Sequence, residues 1–218
     1  MSQQLLRYMS KNSPDQLRMR LRSLREAIPV AERQQASAQL CAELLRWFDA
    51  RSAFRHTFGH TLGHTAPEIV AGFWPLESEP DLRPVYEHLH TQGLTVALPV
   101  VVKKQSPLEF HAWYPTDTLK PGAFGVLEPV RREKLMPDVM LIPTLGFTNQ
   151  GARLGYGGGY YDRTLANLTE AGKDFLALGI AWNQGRIEEE AGYHPQAHDY
   201  PLDAILTPSG WAQNTPSV

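Results

Sequence analysis

The residues of this 218-residue chain best suited to chemistry form one run: Gly151-Ala152-Arg153-Leu154-Gly155-Tyr156-Gly157-Gly158-Gly159-Tyr160-Tyr161-Asp162-Arg163. Five glycines, three tyrosines, two arginines and one aspartate fall within it. Glycine adopts positive φ and lets backbone N–H groups approach a ligand with no Cβ in the way. Leu165 and Leu168 follow at helical spacing, and Asp162-Arg163-Thr164 suits a helix start. The segment therefore reads as a glycine loop entering a helix N-terminus. Such a junction binds anions, because unpaired N–H groups and the positive dipole end converge on one spot. Arg153 and Arg163 add guanidinium charge suited to phosphate. The alternative is a glycine-rich turn with no ligand, although a plain strand-to-helix turn uses fewer glycines. The run is neither a Walker A loop, which needs Gly-Lys-Ser/Thr, nor a dinucleotide fingerprint, since Tyr160 stands where its third glycine belongs.

Composition bounds what can position this loop. The chain is 42% hydrophobic and 20% charged, ordinary for a soluble globular protein. The expectation is one α/β domain over residues 1–218, with residues 1–12 and 213–218 loose. A net charge of −2 argues against nucleic acid or an anionic membrane as partner. Cys41 is the single cysteine, so no internal disulfide forms and a cytoplasmic location is expected. It lies in an apolar helical pattern and reads as core. No apolar run reaches membrane-span length, and no secretory h-region begins the chain.

Ser13-Pro14-Asp15-Gln16 carries a capping box with Pro at the first helical position. Leu17, Leu21, Leu24 and Ile28 then make an apolar stripe, and Pro29 ends the helix. Arg18, Arg22 and Arg25 share a second face; for Arg20 and Arg22 the simplest reading is a solvated surface. Residues 30–50 read as a second amphipathic helix around Leu40, Leu44 and Phe48. Residues 55–67 read as a loop insertion: His56, His60 and His64 recur every four residues, but Gly59, Gly63 and Pro67 oppose a helix. A metal site there is the minor alternative. Strands are expected at 69–74, 94–102, 108–113, 139–142 and 176–182, with helices at 82–92 and after the glycine loop to about residue 171. Alternation in 108–113 suggests one exposed face. Strands alternating with helices predict a three-layer α/β fold. Its central sheet is mostly parallel or mixed, with helices on both faces and a helical N-terminal lead.

Arg-Leu-Gly-x-Gly-Gly-Gly-Tyr-Tyr-Asp-Arg, preceded by Ile142-Pro143 and Gly146-Phe147, resembles the 5-formyltetrahydrofolate cyclo-ligases (methenyltetrahydrofolate synthetases). Gly122-Ala123-Phe124-Gly125-Val126-Leu127-Glu128-Pro129 and the closing segment 198–208 are similar to further stretches of that family. The resemblance implies ATP-dependent cyclisation of 5-formyltetrahydrofolate to the 5,10-methenyl form, through a phosphorylated formyl oxygen. It implies ATP contacts from Arg18 and from Arg153, Leu154, Gly155, Tyr156, Gly157, Gly158, Gly159, Tyr160 and Tyr161, with Arg153, Tyr160 and Asp162 closest to the chemistry. Leu76, Glu79, Asp81 and Phe124 would contact the folate, and Asp162 and Asp199 would hold Mg²⁺. Asp81 reads equally as a helix cap, and Phe124 equally as packing. Partners would be these small molecules alone, with a monomer expected. The chain departs from the family at Pro14, where a lysine is usual, and at Thr148, where an aspartate is usual; Lys11 is a possible substitute for the lysine. Another phosphate-handling enzyme, or a non-catalytic nucleotide or folate binder, remain alternatives.

Overall fold

The computed structural model describes residues 13–62, 68–188, 193–196, 199–212 and 215–216. Helix α1 (Pro14–Glu26) opens as its sequence dictates: the Ser13 hydroxyl accepts from the Gln16 N–H while the Gln16 side chain accepts from the Ser13 N–H. Helix α2 runs from Val30 to Leu62, twelve residues past the expected end at residue 50. The loop insertion expected at 55–67 is thus helical as far as Leu62. One interior glycine costs a helix only about 1 kcal/mol relative to alanine; Gly63 and Pro67 lie outside the described residues. The side chains of His56 and His60, and all of His64, lie outside the described residues.

The main sheet has eight strands in the order β12-β11-β10-β7-β1-β2-β3-β6. They are β1 (Ile69–Ala71), β2 (Thr95–Val100), β3 (Glu109–Trp113), β6 (Lys134–Leu135), β7 (Val139–Pro143), β10 (Leu176–Ile180), β11 (Ala204–Thr207) and β12 (Gly210–Trp211). The central run β11-β10-β7-β1-β2 is parallel; β12 and β3 pair antiparallel at its flanks, and β6 pairs antiparallel with β3. All residues of β7 are buried, as a central parallel strand covered on both faces requires. Strand β3 departs from the expected half-exposed pattern. His111 is buried, its ring held by Glu109 and by the Arg131 carbonyl, so both faces of the strand are covered.

Side-chain alternation divides the core into two layers. Val70, Val96, Leu141, Leu178 and Leu206 pack with α2 and with α3 (Arg83–Thr91) on one face. Ala71, Ala97, Met140, Ile142 and Ile205 pack with Leu165 of α4 (Tyr160–Glu170) on the other. A third, smaller cluster joins Leu17 and Leu21 of α1 to Leu145, Leu154 and Ile187. The expected loose tail is corrected at Pro216, which is buried with its carbonyl accepting from Trp47 Nε1 at 3.0 Å. From β1 the chain steps to β2 through α3. It then returns to β7 on the opposite side of β1 and continues through α4 to β10. The strand order therefore reverses between β1 and β7, and a crevice opens at their carboxyl ends, the usual ligand site of an open α/β sheet.

Candidate active site

The glycine run enters this crevice from a small hairpin, β8 (Gly146–Phe147) and β9 (Arg153–Leu154). Thr148 ties its turn: its Oγ1 accepts from the Ala152 N–H at 3.1 Å and its own N–H donates to the Ala152 carbonyl at 3.0 Å. A neutral hydroxyl thus orders this turn where the family pattern has a carboxylate. Gly157 (φ +92°) and Gly159 (φ +63°) sit in the left-handed region, where a Cβ brings strain. Gly159 is the N-cap of α4 and offers no capping side chain, so the first-turn N–H groups are left for a ligand. The helix begins at Tyr160, two residues before the expected start.

Helix α1 lies over this loop. Its apolar side is the Leu17–Leu21 cluster; its arginine face supplies the polar contacts. Arg18 Nε donates to the Gly155 carbonyl at 3.0 Å, and Arg22 Nη2 donates to the Tyr156 carbonyl at 3.2 Å. Arg25, itself buried, donates to the Tyr156 hydroxyl. Arg20 and Arg22 are both exposed, as expected for a solvated face, and Arg22 in addition reaches the loop with its guanidinium. Arg163 turns its guanidinium to the Gly158 carbonyl at 2.7 Å and does not line the cleft, so it braces the loop from behind. Pro14, at the departure from the family pattern, lines the cleft beside Arg18; Lys11 lies outside the described residues.

The far wall comes from the segment after β1 and from a second hairpin, β4 (Leu119–Pro121) and β5 (Leu127–Pro129). The segment after β1 is fixed at several points. The Tyr86 hydroxyl meets both backbone groups of Phe73 at 2.9 Å, and Gly72 leaves the space for that ring. Trp182 Nε1 donates to the Ser78 carbonyl at 2.8 Å, and the Asp81 N–H donates to Ser37 at 3.1 Å. Glu79 is buried; its Oε2 accepts from the Leu76 N–H at 2.9 Å and its Oε1 accepts from the Tyr156 hydroxyl. Leu76 and Glu79 line the cleft, whereas Asp81 does not. The Asp81 carboxylate accepts from the Arg83 N–H at 3.0 Å and forks onto the Arg83 guanidinium at 2.8 and 2.6 Å. Those bonds hold its pKa below the usual carboxylate value. Asp81 thus braces Arg83, the first residue of α3, while Leu82 is the N-cap of that helix and carries no side-chain cap. Phe124 is 73% exposed at the cleft mouth, edge-on to Tyr160 with centroids 5.7 Å apart. It adopts φ +58°, unusual for a bulky residue. Buried Glu128 supports the turn, accepting from the Val101 N–H at 3.1 Å and the Ala123 N–H at 3.4 Å.

The two expected metal carboxylates, far apart in sequence, are neighbours in the fold. Asp162 Oδ1 accepts from Arg153 Nη2 at 2.8 Å and from the Tyr200 N–H at 3.4 Å, which draws the Asp199 segment against α4. Asp199 Oδ2 accepts from the Gln196 N–H at 2.8 Å. Both aspartates line the cleft. Among the described residues no cluster of three or more His, Cys, Asp or Glu could hold an ion alone. Two carboxylates suit Mg²⁺, which keeps several waters and takes its remaining ligands from substrate phosphates. Burial pushes the Tyr156 and Tyr161 phenols well above their ordinary range, and negative charge on Glu79 adds to it. Burial and the charge of Asp199 raise Tyr193 to about 12. These phenols are donors, not bases, at neutral pH; Tyr193 donates to the Arg153 carbonyl at 3.0 Å. No strand or helix signal pointed to Tyr193, and Arg22 and Arg25 carried only their helical spacing.

Together these walls line a cleft of about 720 Å³, within the range of small-molecule binding sites. A family model described as the 5-formyltetrahydrofolate cyclo-ligase family matches residues 10–208. The chain belongs to the 5-formyltetrahydrofolate cyclo-ligase family. It is similar to the 5-formyltetrahydrofolate cyclo-ligase of Haemophilus influenzae, 26% identical over 91% of this chain and 99% of that one. It is also similar to the enzyme of that name from Escherichia coli, 32% identical over 64% of this chain and 78% of that one. The fold matches the solved structure of Aquifex aeolicus 5,10-methenyltetrahydrofolate synthetase with a TM-score of 0.68, at 24% identity, covering 94% of this chain and 95% of that one. Membership makes this chain a ligase, and the expected three-layer fold is the observed one. Among the described residues no helix is long and apolar enough to cross a membrane.

Proposed function

We propose that this enzyme joins N10 to the formyl carbon of 5-formyltetrahydrofolate at the expense of ATP, giving 5,10-methenyltetrahydrofolate, ADP and phosphate. The observation that carries the reading is the meeting, in one cleft, of the glycine loop at the N-terminus of α4 with the buried Glu79 opposite it. The first recognises an anion; the second accepts hydrogen bonds from the N–H edge of an amino-pyrimidinone ring. A formyl oxygen is a poor leaving group, and phosphorylating it makes it a good one. Attack of that oxygen on the γ-phosphorus transfers the phosphoryl group and releases ADP. N10 then closes on the activated carbon and gives up its proton, and the C–O bond breaks so that phosphate departs with the oxygen.

Phosphoryl transfer needs alignment and charge compensation rather than a protein nucleophile. The N–H groups of residues 157–161 hold the phosphate oxygens. Arg153, against Gly155, and Arg18, against Gly157, compensate their charge. Leu76 and Phe124 pack on the flat ring, and Glu79 fixes its edge. Tyr160, whose ring borders Phe124, closes the space between the two ligands and excludes water. Asp162 and Asp199 would hold Mg²⁺, which when bound neutralises charge on the β- and γ-phosphates. The test is the near-ultraviolet band of the methenyl product on mixing the protein with 5-formyltetrahydrofolate and Mg·ATP. A rise that requires both ATP and Mg²⁺ supports the reading. Binding of both ligands with no rise would replace it with a non-catalytic role.

A further inference from the structure

We infer that Arg25 and Tyr156 form a relay that makes the anion side and the ring side of the cleft bind cooperatively, Tyr156 acting as a positioning residue for Glu79. The inference rests on the proposed function for the identity of the two ligands. Tyr156 belongs to the glycine loop by its backbone, yet its side chain leaves the loop. The hydroxyl accepts from Arg25 and donates to Glu79 Oε1. Arg25 comes from α1, and its Nη1 lies 3.7 Å from the same carboxylate oxygen. The other oxygen of Glu79 accepts from the Leu76 N–H at 2.9 Å, so the carboxylate is held at both ends. Three separate elements thus meet on one phenol: α1, the anion loop and the ring-binding wall.

The meeting point lies in the cleft wall and is largely shielded from water. The Arg25 and Glu79 side chains are 10% and 5% exposed. Burial keeps the phenol protonated, so its one proton goes to the carboxylate. Arg25 Nε is buried without a partner, a cost the fold bears to keep this guanidinium in place. In such surroundings hydrogen bonds are directional and strong, and a half-satisfied network is poorly tolerated. An anion on the loop orders the backbone at Tyr156, which fixes the hydroxyl and so the aim of Glu79. A ring hydrogen-bonded to Glu79 fixes the phenol, and so orders the loop for the anion. Each ligand then bears less of the ordering cost when the other is already bound.

The test is calorimetry with a non-hydrolysable ATP analogue, titrated with and without saturating 5-formyltetrahydrofolate, each ligand also titrated alone. The wild-type protein should bind the analogue at least about fivefold more tightly when the folate is present, the lower end of typical coupling. Tyr156→Phe keeps the ring and removes the relay; its coupling factor should fall to about one while both ligands still bind. Arg25→Lys, which keeps a donor and its charge, should restore part of the factor relative to Arg25→Met. A merely structural role would shift both affinities together and leave their ratio intact. An unchanged factor in Tyr156→Phe, or none in the wild type when both ligands bind, overturns the relay. Failure of the wild type to bind the folate at all overturns the proposed function, and the relay with it.

Discussion

Arg153 Nη2 and Asp162 Oδ1 meet at 2.8 Å, with only 5% and 14% of their side chains exposed. One residue was expected to hold phosphate and the other a metal ion, so this pair stands between the two charges the reaction must handle. Each partner satisfies the other's burial, as a buried charge demands. The Arg153 Nε is closed to water without a partner, and Gly155 is a glycine in part because a Cβ there would lie 2.7 Å from the same guanidinium.

Removing one half of this pair should therefore damage folding as well as turnover. Asp162→Ala is expected to lose about 3 kcal/mol of stability by stranding the Arg153 charge. It should also lower kcat at least about 100-fold. The double variant Arg153→Met, Asp162→Leu should recover much of the stability and none of the activity. Thermal melting beside steady-state rates checks this; near-normal turnover in Asp162→Ala would remove the residue from the chemistry.

Arg18 acts differently, because its guanidinium is partly open and its helix is anchored by Leu17 and Leu21. Arg18→Ala should raise the KM for ATP about tenfold, the loss of one charge-assisted contact of roughly 1.5 kcal/mol, with the melting temperature nearly unchanged. A variant whose KM for the folate rises instead would place Arg18 on the wrong ligand.

Phe124 offers a separation of ring from backbone. Phe124→Ala removes an exposed ring and should weaken folate binding about fivefold to tenfold, in line with about 1–1.5 kcal/mol for an aromatic contact. Phe124→Gly should weaken binding equally and also raise the melting temperature slightly, since glycine relieves the positive φ. Unaltered folate affinity in both would return Phe124 to packing.

Cys41 supplies a pH prediction. Burial, with the nearby charge of Asp81 adding to it, pushes its thiol from an ordinary 9.0 up to about 11. The folded state therefore holds the proton more tightly than the unfolded chain. The associated stability is complete below about pH 9 and is lost as pH rises toward about 11. Stability curves of the wild type and Cys41→Ala should converge or cross in that window, and iodoacetamide should label the native thiol slowly at neutral pH. Rapid native labelling would show that the side chain is not enclosed.

Several parts of this protein were written in short stretches of sequence. Ser13 to Gln16 contain a complete capping box, and α1 begins there because both halves of the box lie within one helical turn. Residues 139–142 are apolar without a break, which is what a strand covered on both faces needs. The glycines of 155–159 signal positive φ and an open helix N-terminus wherever they lie in the fold. Residues 55–62 misled because Gly59 and the histidines are weak helix formers individually, while helix formation is cooperative and continues from the long segment before them.

What the local pattern did not hold is which of these features meet. Arg22 and Arg25 were two charges on a helix, Glu79 an acid after a strand, and Tyr156 the variable residue of a glycine loop. Arg25 lies 131 residues from Tyr156, and Tyr156 lies 77 from Glu79. Only the reversal of strand order between β1 and β7, with α1 laid across the opening, brings them to one hydroxyl. A cap or a turn depends on neighbours along the chain and is decided by sequence alone. A buried contact between distant segments depends on how the layers pack, and the tertiary structure alone decides it.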